Sequence, residues 1–145
     1  TLSVEKKLGF VRRYLDAGLQ VLFEWGKKYP TEQLDPRAAA DEIQQLLAEG
    51  ALKVIVEQGQ LEILFKSEGG RAVLKELIAA VGAEHLIFET PDLAQQMWFI
   101  NEVGPDVNLG PNIDLENVLW LEPMRRGLGR PSGYTAFKKY LKPQQ

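Results

Sequence analysis

The sequence has 145 residues, 45% of them hydrophobic, and a formal net charge of −3. These values are typical of one soluble globular domain, and the acidic balance argues against nucleic acid as a partner. No apolar run approaches the roughly 20 residues of a membrane span, and the lack of cysteine excludes disulfides and thiolate metal sites and fits a reducing, cytoplasmic compartment.

Helical and strand-like patterns alternate along the chain. The predicted helices run from Ser3 to Gly18, from Asp35 to Gly50, from Val73 to Gly82, from Thr90 to Gly104 and from Asp114 to Met124. The predicted strands lie near residues 20–25, 53–57, 85–89 and 106–110. Strands that alternate with helices indicate an α/β fold with a parallel sheet and right-handed crossovers.

Capping residues predict where three of the helices begin. Asp35 before Pro36 and Asp114 are expected N-caps, and Thr90-Pro91 is expected to open a further helix as cap and first residue. The segment from Gln58 to Gly70 is less regular and predicts either an additional strand or part of a long loop. The last helix is expected to pack through Leu115, Val118, Leu119 and Met124.

Each predicted strand ends in a polar residue on the side that faces away from the covering helices. These residues are Glu24, Glu57, Glu89 and Asn108. Because the carboxyl ends of parallel strands lie at one edge, where such folds keep their active sites, the three carboxylates are expected to converge. Their repulsion would be relieved by Mg²⁺ or by a nearby cationic side chain. Alternatively, the glutamates cap neighbouring loops or pair with lysines.

Two further features point to anion chemistry. Lys27 and Lys28 follow the first strand and could bind an anion or transfer a proton, or could be solvated surface charge. The loop that begins with Asn108 and Gly110 leads into a helix N-terminus, which is a typical phosphate site. The late arginines, Arg125, Arg126 and Arg130, could reach the same anion or could complement the dipole of the last helix.

Five stretches resemble motifs of the phosphosulfolactate synthase family, in order and at matching spacings. They are Leu22-Phe23-Glu24-Trp25-Gly26-Lys27-Lys28, Gly50-Ala51-Leu52-Lys53-Val54-Ile55-Val56-Glu57, Leu86-Ile87-Phe88-Glu89-Thr90-Pro91, the stretch from Gln95 to Gly110, and Leu121-Glu122-Pro123-Met124-Arg125-Arg126-Gly127-Leu128.

The resemblance implies a (β/α)₈ TIM-type barrel of which this chain supplies four β/α units, about half. Residues 1–131 would form the half barrel and residues 132–145 a C-terminal tail or short helix. The implied activity is that of a lyase that adds sulfite to phosphoenolpyruvate to give 2-phospho-3-sulfolactate, a reaction of coenzyme M biosynthesis, with Mg²⁺ as cofactor.

The resemblance also implies residue roles. Glu24, Glu57 and Glu89 would hold the metal. Lys27 is the favoured general acid, with Lys28 as the alternative. The residues expected to face the anionic substrate groups are Asn108, Gly110, Arg126 and Arg130.

Three loops depart from the family pattern. The family's arginine after the second strand is absent from Glu57-Gln58-Gly59-Gln60, Pro111 is inserted after Gly110, and Gly129-Arg130-Pro131-Ser132 replaces the closing Arg-Gly-Asp-Thr. These changes favour a second hypothesis, a divergent or inactive barrel that acts as a stress-associated or interaction scaffold.

A half barrel has an uncovered apolar face and two free sheet edges. Since a complete barrel needs about 250 residues, the other half is expected from a further segment, a second chain or a second copy in a homo-oligomer.

Overall fold

The computed structural model describes residues 2–31 and 34–128. The chain divides into two compact units, one up to Glu89 and one from Thr90 onward. The predicted tail at 132–145 lies outside the described residues.

The first unit alternates helices with strands, as the sequence predicts. Its elements are α1 (Val4–Asp16), β1 (Leu22–Trp25), α2 (Pro36–Ala48), β2 (Lys53–Val56), α3 (Gln58–Lys66), α4 (Gly70–Val81), a 3₁₀ turn (Ala83–His85) and β3 (Leu86–Phe88). The three strands pair in the order β1-β2-β3, and both pairings are parallel. A mixed α/β fold with a parallel sheet is therefore confirmed.

One face of this sheet forms the core with α2 and α4. Trp25, Val56 and Phe88 lie side by side in the strand register, and all three are buried. Each fully buried side chain contributes about 1.5–3 kcal/mol relative to its exposed state. The side chains with no exposed surface include Val11, Ile43, Leu46, Val54, Val56, Leu74, Leu77, Leu86 and Phe88.

The opposite face of the sheet is open. Leu22 retains 51% of its surface, and Ile55 and Ile87 are half-buried. Glu24 stands on this open face, in register with Ile55. The alternation predicted from the sequence, with one covered apolar side and one side that ends in a carboxylate, is confirmed for these three strands.

The segment after β2 differs from the prediction, because it is the helix α3 rather than a strand or a long loop. Leu61 and Leu64, three residues apart, are fully buried, and this spacing puts both side chains on one helical face. Polar and apolar residues alternate within part of this segment, and this alternation concealed the helical spacing of Leu61 and Leu64. The Asp35 cap is confirmed: its Oδ1 accepts hydrogen bonds from the N–H groups of Arg37 and Ala38 at 2.9 and 3.3 Å.

In its described residues, 90–128, the second unit contains two helices, α5 (Leu93–Glu102) and α6 (Leu115–Arg125), which contact each other. Asp114 caps α6 as expected, since its Oδ1 accepts from the N–H of Asn117 at 2.8 Å. The apolar stripe predicted for α6 is wrong in part: Met124 is buried, but Leu115 and Leu119 are 85% and 74% exposed.

The start of α5 lies two residues later than predicted. Asp92 is the N-cap, and its Oδ1 accepts from the N–H of Gln95 at 2.9 Å. Thr90 is instead buried, and its hydroxyl donates to Gln95 Oε1 at 2.7 Å. The carbonyl of Thr90 accepts from Nε2 of Gln96 at 2.9 Å, so this residue anchors the first turn from outside the helix.

The predicted strand at 106–110 does not form in the described part of the chain, where the segment has a single β-bridge residue, Leu109. The carbonyl oxygens of Pro105 and Val107 accept hydrogen bonds from the Arg125 guanidinium, the latter at 2.7 Å. These two carbonyl groups therefore bind a side chain of α6 rather than a neighbouring strand.

None of the helices in the described residues is long and apolar enough to cross a membrane.

Candidate functional site

The three strand-end glutamates lie together at the carboxyl edge of the sheet. Glu24 is the third residue of β1, and the ladder continues beyond β2 and β3. The N–H of Glu57 donates to Trp25 O at 2.9 Å, and the N–H of Glu89 donates to Val56 O at 3.0 Å. These bonds fix both glutamates at the same edge. One carboxylate oxygen from each of the three residues lies within 4.8 Å of the other two.

Glu57 is the central and most buried of these carboxylates, with 7% of its surface exposed. Burial raises the pKa of Glu57, and its hydrogen bond with Glu24 and the negative charge of Glu89 raise the pKa further. These causes favour the protonated form of Glu57, and a proton there would relieve the repulsion within the cluster when no cation is bound.

The first turn of α3 supports the cluster. Glu57 occupies the N-cap position of α3, and the N–H of Gln58 donates to Glu89 Oε2 at 3.3 Å. A helix N-terminus carries partial positive charge, so both carboxylates lie where anionic groups are stabilised.

The cluster opens into a cavity of about 370 Å³. Lys28 is the cationic residue of its lining, and Glu62 adds a fourth carboxylate. Hydrogen bonding from Gln58 and the pair with Lys66 lower the pKa of Glu62. The complete lining is Glu24, Lys28, Tyr29, Glu57, Gln58, Gly59, Glu62 and Glu89.

Glu62 and Gln58 were missed from the sequence because their segment was not predicted as a helix. The available signal was the i,i+4 spacing of the two residues, which on a helix allows the 2.9 Å hydrogen bond from Gln58 Nε2 to Glu62 Oε1.

The two lysines of the β1–α2 loop line different cavities. Lys28 lines the carboxylate cavity, whereas Lys27 lines a separate one. The backbone of both lysines lies close to α3. A Cβ at Gly59 would come within 2.0 Å of the Lys28 carbonyl oxygen and 2.9 Å of the Lys27 carbonyl oxygen. A glycine at position 59 is therefore required for this close approach.

The carboxylate cluster fits a hard divalent cation. Like charges this close repel each other, and a cation or a proton must compensate. The converging donor atoms are all carboxylate oxygens, the ligand type that Mg²⁺ prefers. Glu24, Glu57 and Glu89 are the residues that would hold it.

The remaining predicted site residues belong to the second unit. Asn108 is half-buried, and Gly110 is buried with φ of 138°. Arg126 is exposed, with its Nε 3.8 Å from Glu122 Oε2, and Arg125 holds the loop before α6 as described above. Arg130 lies outside the described residues.

Comparison with known families decides the assignment. The profile of the family described as (2R)-phospho-3-sulfolactate synthase (ComA) matches residues 1–130. The chain belongs to the phosphosulfolactate synthase family. Every carboxylate of the cluster and both loop lysines fall inside the matched range.

Three curated relatives carry the name phosphosulfolactate synthase. Those of Methanothermobacter thermautotrophicus, Methanocaldococcus jannaschii and Bacillus subtilis are 34%, 37% and 32% identical to this chain. Each match covers 88% of this chain and 52–53% of the relative. The chain thus spans about half the length of these phosphosulfolactate synthases.

Proposed function

We propose that this chain forms part of a phosphosulfolactate synthase-like lyase, which adds sulfite to phosphoenolpyruvate to give 2-phospho-3-sulfolactate. The observation that carries the proposal is that the converging carboxylates of Glu24, Glu57 and Glu89 line the same cavity as Lys28. Membership of the family supports this choice of substrates, and the cavity contains groups suited to them.

In the proposed reaction, the sulfur of sulfite forms a bond to C3 of phosphoenolpyruvate, and C2 receives a proton. Negative charge builds up on the substrate carboxylate as the C2–C3 double bond is lost. Mg²⁺, when bound, would supply the positive charge that stabilises it. The role of Glu24, Glu57 and Glu89 is to hold that cation at the open face of the sheet.

Lys28 is proposed as the proton donor to C2. Its ammonium group carries a transferable proton, and Lys28 is the cationic residue that lines the carboxylate cavity. Lys27, the residue favoured by the resemblance, lines the other cavity. The contact of the Lys28 carbonyl with Gly59 fixes the backbone from which the Lys28 side chain extends.

The proposed active unit is a complete barrel. The open face of the sheet, where Leu22 is 51% exposed, would become the barrel interior once a further segment, a second chain or a second copy covers it. Asn108, Gly110, Arg126 and Arg130 are proposed to contact the anionic groups of the substrate. The intact mass of the natural gene product and its native mass would distinguish these three sources.

The activity is tested with phosphoenolpyruvate, sulfite and Mg²⁺, with phosphosulfolactate as the measured product. Removal of a general acid typically lowers the rate by about 10²–10⁴-fold, and we expect this loss for Lys28→Ala. Lys27→Ala is the matched control, since it removes the same charge from the adjacent residue, and it should keep most of the rate. Equal turnover of both variants and the unsubstituted protein would disprove the role of Lys28.

One observation favours the scaffold hypothesis as a second candidate. Position 59, where the family has an arginine, is closed by the Lys28 carbonyl and has no room even for a Cβ. If that arginine is needed to bind an anionic substrate, the barrel would be inactive. Absence of turnover from the assembled barrel, together with a stable complex with another protein, would support this alternative.

A further inference from the structure

A second cavity, of about 300 Å³, lies beside the β1–α2 loop and is lined by residues of α1, α2 and α3. Trp25, whose side chain is buried on the helix-covered face of the sheet, forms part of its lining together with Ala38 and Ala39. Its volume is at the lower end of the range for small-molecule sites. Neither the carboxylate cluster nor Lys28 lines it.

The charges in this second cavity are unevenly compensated. Lys7 forms an ion pair with Glu42, so these two groups neutralise each other. The carboxylate of Asp35 is engaged as the cap of α2. Lys27 also lines the cavity, and it has no ion-pair or hydrogen-bond partner among residues 2–31 and 34–128. The lining therefore has two positive and two negative groups, and Lys27 is the cation among them that can still pair with a bound anion.

A buried hydrogen-bonding group lies beside that charge. Gln60, in the first turn of α3, lines the cavity and is only 5% exposed. Its carboxamide has no hydrogen-bond partner in the part of the chain that the structure describes. Because the Gln60 side chain lines the cavity, its carboxamide can donate a hydrogen bond to a group that binds there.

We infer that this second cavity binds a small anion through a carboxylate or phosphate group. The ammonium of Lys27 supplies the charge, the carboxamide of Gln60 donates a hydrogen bond, and Trp25 contacts the apolar part of the ligand. The Lys7–Glu42 ion pair forms another part of the lining. The site is separate from the carboxylate cavity, and its existence does not depend on the proposed lyase activity.

The test is an NMR titration of the full ¹⁵N-labelled chain with sodium acetate and, separately, sodium phosphate, at constant ionic strength and without Mg²⁺. We expect saturable shifts of the Gln60 side-chain amide and the Trp25 indole N–H, with the latter assigned by Trp25→Phe. The probe that saturates at the lower concentration shows whether the carboxylate or the phosphate is preferred.

Matched variants separate this site from the carboxylate cavity. Loss of a charged hydrogen bond typically weakens binding roughly tenfold or more, and we expect this for Lys27→Ala. Gln60→Leu, which keeps the buried volume, should also weaken binding, whereas Lys28→Ala should leave it unchanged. Linear shifts with both probes, or an equal loss in Lys28→Ala, would overturn the inference. Spectra of the free variants report whether each one is folded.

Discussion

Glu57 couples the candidate metal site to the stability of the protein. Its folded-state pKa is raised above the ordinary value of 4.5, first by burial and then by Glu24 and Glu89. The stability that this group contributes is complete below that value and is lost as the pH rises through the raised folded-state pKa. Without a cation, the ionised cluster is therefore destabilising at neutral pH.

The first prediction follows for Glu57→Gln. In EDTA, the variant should melt at a higher temperature than the unsubstituted protein, and the difference should grow as the pH is raised above 4.5 because only the unsubstituted protein ionises at this position. Glu76→Gln, which removes an exposed carboxylate of α4, is the control and should show no such growth. Melting curves followed by circular dichroism measure both.

The same variant gives a second prediction when Mg²⁺ is added. A ligand that binds only the folded state at 100 times its dissociation constant stabilises it by about 2.7 kcal/mol. The unsubstituted protein should gain stability in this way, and Glu57→Gln should lose most of the gain. If Mg²⁺ raised the melting temperature of both proteins equally, the cluster would not be its site.

Among the elements, α3 determines how the β1–α2 loop is placed. Gly59→Ala would put a Cβ 2.0 Å from the Lys28 carbonyl oxygen, and this oxygen belongs to backbone that cannot rotate away. We expect a loss of about 1–3 kcal/mol in the free energy of unfolding, measured by urea denaturation, because the loop must shift. In an active assembly the displaced Lys28 would also lower turnover.

Gly9→Ala provides the matched control for this change. Gly9 lies within α1, and a Cβ there would meet nothing within 4 Å. Alanine in a helix interior is favoured over glycine by about 0.5–1 kcal/mol, so this variant should be more stable. A similar loss in both variants would contradict the role of the close contact at position 59.

The elements also show what the sequence could reveal. The carboxylates at positions 24, 57 and 89 could be placed on one edge because the period of a strand and the parallel pairing determine their side of the sheet. Gln58 and Glu62 could not be assigned to the site from the sequence. Polar and apolar residues alternate locally in α3, and this alternation concealed the helical period that the burial of Leu61 and Leu64 shows. Likewise, the packing of the β1–α2 loop determines that Lys27 and Lys28 line different cavities. This packing could not be predicted from two adjacent lysines in the sequence.

At the scale of the whole molecule, α6 carries four of the large apolar side chains that are exposed among the described residues. Leu115, Leu119 and Trp120 are 85%, 74% and 69% exposed. Contiguous apolar surface of this kind marks an interaction site in a soluble protein. It is consistent with the expectation that this chain associates with a second copy or with another part of the barrel.

The last prediction concerns this surface. Leu119→Glu places a charge in the middle of the exposed face of α6, and it should shift the chain toward smaller species because burial of an unpaired charge at an interface is costly. Ala79→Glu adds the same charge at an exposed position of α4 and serves as the control. Sedimentation velocity over a range of protein concentrations separates the outcomes. If the two variants and the unsubstituted chain sedimented identically, α6 would not mediate self-association, and its exposed apolar surface would have to bind a different partner.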